Sequence, residues 1–307
     1  MSSVAITIPE RLERNLRAWE GEPGAAWLAA APTLVAGYLD RWHLTAERIV
    51  EPGGQISLVV YVRRADGTPA ALKAGLLTVE TAEEHAALAH WNGHSAVRML
   101  DADPAHAVLL LERLHGDISL RSLPEAKANL EAASVLQRLW VEPPPDHPFR
   151  TVTAYAGSLR DLLRTRRDLP VCAAANALPL IDEALETSAA LLASEPERFL
   201  LHGDFHHGNV LASDRAPWLA IDPKPLVGER AYDLAWLAND RMETLLGSPG
   251  PEAAVRRRLQ RLADSVEVDR ERLRGWTLFR AVEAGIWSLT VGDTTSAELF
   301  LEFAAHT

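Results

Sequence analysis

LHGDFHHGNVLASDRAPWLAIDPKP, residues 201–225, is the most polar and unusual segment of the chain, and its reading decides how the rest is read. Two short apolar runs, NVLA at 209–212 and WLAI at 218–221, flank SDRAP, which is turn chemistry. That pattern predicts an antiparallel hairpin. A hairpin centred between Arg215 and Ala216 sets Asn209 opposite Asp222, and directly opposed residues have Cβ atoms about 5 Å apart. Two hard oxygen donors would then be within reach of one cation.

The spine ahead of the hairpin is His202-x-Asp204 followed by Asn209, the spacing H-x-D-x-x-x-x-N of a phosphoryl-transfer catalytic loop. Such chemistry needs a carboxylate that accepts a hydrogen bond from the attacking hydroxyl, and oxygen ligands that hold magnesium against the phosphates. Asp204 fits the first role; Asn209 and Asp222 fit the second. His202 reads as loop support, and His206 and His207 as either support or substrate contact. Two other readings stand beside this one. The three histidines with Asp204 could form a transition-metal cluster, although no H-E-x-x-H or cysteine pattern accompanies them. The loop could also be polar turn chemistry alone.

Upstream, QISLVVYVR (55–63) and PAALKA (69–74) read as strands joined at Asp66-Gly67. A helix at 78–92 and strands at 96–101 and 106–112 complete an antiparallel sheet with one inserted helix. Lys73 lies among apolar neighbours near a strand end, where an ammonium needs a partner. Only three of the 31 basic residues are lysines (Lys73, Lys127 and Lys224), so a lysine in such a position stands out. Glu84, on a helix face with Leu88 and Trp91, is the expected partner, though Thr81-x-x-Glu84 also reads as a capping box. Gly53, Gly54 and Ser57 are expected beside nucleotide phosphates, since glycines let backbone amides approach closely. G-x-G-x-x-G and Walker A spacings are absent, which excludes the P-loop kinase fold. Backbone groups of Glu112, Arg113 and Leu114 fall where an adenine edge would bind.

Helices are expected at 9–20 and 23–40, and again from about 124–140, 151–168, 176–193, 230–246, 251–264, 269–291 and 295–305. The picture is α+β: a small β-rich lobe over 1–111, a hinge at 112–118 and a larger helical lobe over 119–307. A net charge of -11 argues against nucleic-acid binding and suits a cationic substrate, while also serving solubility. No apolar run reaches membrane-spanning length, MSSVAITIPERLERN lacks a secretory pattern, and Cys172 is the single cysteine. A cytoplasmic enzyme with no membrane partner is expected.

AALK, LLERL, HGDFHHGN and IDPKPLVGERAYDLAWL together resemble the aminoglycoside phosphotransferase superfamily, and within it the aminoglycoside/hydroxyurea resistance kinases. The resemblance covers nearly the whole chain. It implies a protein-kinase-like bilobal fold and ATP- and Mg-dependent phosphorylation of an aminoglycoside hydroxyl, with streptomycin at its 6-position as the expected acceptor. Another small metabolite, such as an amino sugar or hydroxyurea, is the alternative; a catalytically dead nucleotide-binding module is a third reading, against which the intact motif residues speak. The resemblance further implies Lys73 on the phosphates, Asp204 as base, Asn209 and Asp222 on magnesium, and Asp233 as a buttress of the catalytic loop. Gly203 replaces the arginine of protein kinases, and Asp222-Pro223-Lys224 replaces D-F-G. Lys224 could contact phosphate or solvent. For a guanidinium-bearing acceptor, carboxylates and flat aromatics are needed. Asp240, Glu283 and Trp287 are the expected contacts, with Trp236, Glu243 and Asp293 in the same lobe.

Overall fold

The computed structural model describes residues 5–307, so the opening MSSV of the stretch read for a leader lies outside it. The chain groups into two compact units: residues up to His115 with Ser213–Pro217, and Gly116–Ala212 with Trp218–Thr307.

The first unit begins with α1 (Glu10–Trp19) and α2 (Gly21–Arg41), followed by β1 (Thr45–Ile49), β2 (Ser57–Arg63) and β3 (Pro69–Gly75). Then come α3 (Glu84–Trp91), β4 (Met99–Asp103) and β5 (Val108–Glu112). The antiparallel sheet has the order β1-β2-β3-β5-β4. Strand alternation sorts its two faces. Leu58, Val60 and Val62 of β2 and Ala70, Leu72 and Ala74 of β3 share a core with Leu12, Leu16, Leu28 and Val35 of the helices. Lys73 therefore points to the opposite face. Strand β1 was not anticipated, because its half-exposed polar TAERI shows no apolar alternation. Helix α3 starts six residues later than expected. Thr81 Oγ1 donates to the Leu76 carbonyl and accepts from the Thr78 amide, which makes 76–81 a closed turn.

Next comes β6 (His115–Ser119), so much of the expected connector is a strand. The second unit continues through α4 (Glu125–Leu139), β7 (Arg150–Thr151), α5 (Val152–Arg167), α6 (Pro170–Ala174) and α7 (Leu178–Leu192). Next come β8 (Phe199–Leu201), β9 (Val210–Ala212), β10 (Trp218–Ala220) and β11 (Leu226–Gly228). The chain ends with α8 (Arg230–Asn239), α9 (Met242–Leu246), α10 (Pro251–Val266), α11 (Arg270–Thr290) and α12 (Thr294–Ala305). Helix α11 is buried along most of its length and packs against α7, α8, α10 and α12. The single helix expected at 230–246 is broken: Asp240 is extended and Arg241 has φ 57°. Arg258 stabilises the break by donating to the carbonyls of Ala238 and Asp240 at 3.1 and 2.7 Å. Among the described residues no helix is long and apolar enough to cross a membrane.

Two small sheets, β10-β9-β6 and β7-β11-β8, frame the 201–225 segment. Its hairpin forms, but one residue out of the expected register. Trp218 pairs with Ala212 and Ala220 with Val210, so Asn209 faces Ile221, whose amide donates to the Asn209 carbonyl at 2.9 Å. The loop Ser213–Pro217 has an odd length, and the Ser213 hydroxyl closes it by accepting from the amides of Arg215 and Ala216. Asp222 leaves the ladder at φ 58°.

Candidate active site

In the first unit Lys73 and Glu84 are both buried, and Lys73 Nζ lies 2.6 Å from each Glu84 oxygen. Period-two alternation places the lysine and the first turn of α3 places the glutamate. A bidentate ion pair satisfies two charges that would each be costly alone. The capping-box alternative is absent: Glu84 turns to Lys73, and the residue preceding α3, Glu83, makes no side-chain cap. At the start of β2, a Cβ on Gly54 would stand 2.6 Å from Ser57 Oγ and 2.8 Å from the Ser57 carbonyl, so only glycine fits this turn. Gly53 beside it has φ 74°.

Residues 112–114 carry the adenine-edge expectation, and the side chain and amide of Glu112 are used within the protein. The Glu112 amide donates to the Arg98 carbonyl at 2.9 Å, and its carboxylate accepts from the Arg98 amide and from Arg215. Its N–H is therefore committed within the protein. The Arg113 side chain donates to Glu47 and to the carbonyls of Val62 and Ala70. Leu114 is buried.

In the second unit the polar loop follows β8 and is held by main-chain contacts. Gly203 has φ 78°, and a Cβ there would lie 1.9 Å from the Lys224 carbonyl oxygen. The Lys224 amide in turn donates to the His202 carbonyl at 2.9 Å. Close approach of these two backbones explains why arginine is missing at 203. Buried Asp233 accepts from the amides of His202 and Gly203 at 2.9 and 2.8 Å, and from Trp140 Nε1 at 3.0 Å. Trp140 was not anticipated, being 93 residues away in sequence.

Asp204 is mostly buried, with Lys224 Nζ 3.1 Å from its Oδ2. Burial alone would raise the Asp204 carboxyl, but Lys224 and His206 outweigh it and hold the group well below the usual carboxylate range. Asn209 Nδ2 donates to the Asp204 carbonyl at 3.0 Å. Its Oδ1 thereby becomes the end suited to a hard cation. Asp222, on the facing arm, supplies a carboxylate. This donor set fits magnesium, a hard cation that takes oxygen ligands.

The histidines do not form a metal cluster. His202 is fully buried; its Nε2 donates to the Ile221 carbonyl at 2.9 Å and its Nδ1 accepts from the Asp204 amide at 3.3 Å. Burial lowers its pKa and keeps it neutral. His207 spans Asp240 and Asn129 at 2.8 and 3.0 Å. His206 Nδ1 accepts from the Gly208 amide at 3.1 Å.

Asp240, expected as an acceptor contact, is engaged within the protein. Its carboxylate takes the His207 amide and ring, Arg121 Nη2 at 2.7 Å and the Arg241 amide at 3.0 Å. Burial opposes its charge, yet these partners hold its pKa low. It braces the loop. Asp293 caps α12 by accepting from the Ser296 amide at 3.1 Å. Trp236 stacks with Phe300, ring centroids 6.3 Å apart. Glu283 and Trp287 remain half-buried on α11.

A family model for aminoglycoside/hydroxyurea antibiotic resistance kinases matches residues 41–292. The streptomycin 6-kinase of Streptomyces glaucescens is 37% identical over 295 residues, covering 95% of this chain and 94% of that protein. The hydroxyurea phosphotransferase of Kitasatospora aureofaciens is 36% identical over 308 residues, covering 95% of this chain and 83% of that protein. Among solved structures, aminoglycoside phosphotransferase APH(4)-Ia aligns with a TM-score of 0.62 at 17% identity, over 90% of this chain and 97% of that one. That likeness establishes the kinase-like α+β fold. With the family model spanning most of the chain and relatives above 30% identity along nearly all of it, the protein belongs to the aminoglycoside/hydroxyurea antibiotic resistance kinases and is a small-molecule phosphotransferase.

Proposed function

We propose that the protein transfers the terminal phosphoryl group of ATP to an aminoglycoside hydroxyl, with streptomycin at its 6-position as acceptor. The observation that carries this reading is the 37% identity to a streptomycin 6-kinase over 95% of the chain, which includes the helical region as well as the phosphate motifs. In this reading residues 1–111 cover the nucleotide, 112–118 form a hinge, and 119–307 carry the catalytic loop and acceptor site. Lys73, kept in place by Glu84, meets the nucleotide phosphates, with Gly53, Gly54 and Ser57 alongside. Asp204 orients the attacking hydroxyl and accepts its proton as the new P–O bond forms. A carboxylate held so strongly ionised is a weak base, so orientation is its larger contribution. Asn209 Oδ1 and Asp222 would hold magnesium, which when bound neutralises charge on the phosphates. Glu283 and Trp287 serve a cationic acceptor.

Hydroxyurea is the second reading, supported by the 36% identity to a hydroxyurea phosphotransferase. An ATP-consumption assay over streptomycin, other aminoglycosides, amino sugars and hydroxyurea, with the phosphate position read by NMR, separates the two. Phosphorylation of streptomycin at the 6-hydroxyl is expected, and D204A should lose turnover while retaining ADP binding. Absence of turnover with streptomycin, or robust turnover by D204A, would overturn the corresponding assignment.

A further inference from the structure

Helix α11 carries a buried cation that none of the roles above uses. Arg280 is 6% exposed. Its guanidinium sits over the rings of Trp236 and Tyr232, 4.5 and 5.1 Å from the centroids. A guanidinium has five N–H donors. Arg280 makes one side-chain hydrogen bond, from Nη1 to the Tyr232 hydroxyl at 2.7 Å, and its buried Nε has none. A buried cation so sparsely bonded is unusual, because desolvation is offset only when most donors find acceptors.

The neighbouring stripe of α8 has the same character. Tyr232, Trp236 and Asn239 lie at i, i+4 and i+7, on one face of the helix. Trp236 Nε1 and both amide atoms of Asn239 are buried without partners. Of the eight buried side-chain polar atoms lacking a partner among the described residues, four belong to Arg280, Trp236 and Asn239. The deficit is therefore concentrated on α8 and α11, and it consists mainly of N–H donors. Arg280 also shares its own helix face with Glu283 and Trp287, three and seven residues on. Burial works against the Arg280 charge, but Tyr232, Tyr155, Glu283 and Asp204 outweigh it and keep the guanidinium protonated.

We propose that Arg280 is an acceptor-binding residue that donates to an electron-rich oxygen, hydroxyl or carbonyl, of the molecule being phosphorylated. The inference rests on the reading of Glu283 and Trp287 as acceptor contacts and extends it. A donor-rich patch beside a carboxylate and an indole makes the site bipolar. It takes a cationic group at Glu283 and an oxygen-rich face at Arg280, and it repels a cationic group placed at Arg280. A polyhydroxylated ring bearing basic substituents matches this arrangement; a simple polyamine does not.

Calorimetric titration of the full-length protein tests it, with streptomycin and hydroxyurea as acceptor probes and ADP as control, on wild type, R280K, R280M and Y232F. Both Arg280 variants are expected to weaken the acceptor by about tenfold or more, with ADP affinity within about twofold of wild type. Y232F, which keeps the cation and removes its protein partner, should retain most acceptor affinity. Unchanged acceptor affinity in R280K and R280M overturns the proposal. So does parallel loss of acceptor and ADP with a collapsed thermal transition, or failure of both Arg280 variants to fold, since each makes the residue structural. An R280K-like loss in Y232F also overturns it. Wild-type protein that binds neither probe defeats the substrate reading and this proposal together, whereas wild-type binding unaffected at Arg280 defeats the proposal alone.

Discussion

Lys224 Nζ lies 3.1 Å from Asp204 Oδ2, so the proposed base shares a contact with a cation only two residues beyond Asp222. This lysine sets the charge state of the carboxylate. In K224M the Asp204 pKa should rise toward the ordinary value, because burial then acts with less opposition. The acid limb of the kcat/KM profile should move to higher pH, and kcat should fall by about one to two orders of magnitude. An acid limb unchanged from wild type would remove Lys224 from this role.

Asp233 accepts three hydrogen bonds at 1% exposure. D233N retains one acceptor oxygen and brings an amide that faces donors. It should destabilise the protein by about 2–4 kcal/mol, measured by urea denaturation, and slow turnover more than it alters nucleotide affinity. W140F removes a single donor and should cost about 1 kcal/mol.

Glu84 holds Lys73 from both carboxylate oxygens. E84Q keeps the shape but withdraws the charge. The KM for ATP should rise about tenfold, with the acceptor KM within about twofold. Equal changes in both constants would assign Glu84 a general structural part instead.

Tyr38 donates to Asp103 at 2.7 Å, and Arg41 reaches the same oxygen at 2.8 Å. The Tyr38 hydrogen bond is the chief reason the Asp103 carboxyl is pulled down to about 2, and burial is the chief reason the phenol is pushed up to about 12. A depressed carboxylate stabilises the fold above its unfolded value of 3.8, and the benefit disappears as pH falls through about 2. The raised phenol contributes below 10.0, and its benefit is lost as pH climbs through about 12. D103N should be less stable than wild type at neutral pH by about 1–2 kcal/mol. Urea midpoints should show that gap closing between pH 4 and 2; a gap independent of pH contradicts the linkage.

What could be seen in the sequence was whatever acts over short range. Strand alternation alone sends Lys73 away from the helical core, and the polar spine from His202 to Asn209 lies within one loop. The hairpin at 209–222 was legible, but its register was not, because the Ser213 hydroxyl closes a five-residue turn centred on Arg215 rather than between Arg215 and Ala216. Asp240 looked like a carboxylate for a cationic ligand. Its partners His207 and Arg121 are 33 and 119 residues distant, beyond any local pattern. Arg280 gave no signal at all, since an arginine within a helix reads as a solvated one until the aromatic rings beside it are seen.

The meeting of Gly203 with the Lys224 carbonyl has an evolutionary corollary. On the proposed reading, the phosphate-handling residues of the second unit sit on a loop whose backbone is pinned at Gly203, where no side chain fits. The acceptor contacts proposed on α8 and α11 are side chains. On that reading, acceptor preference can diverge by substitutions on two helices while the pinned loop is left unchanged.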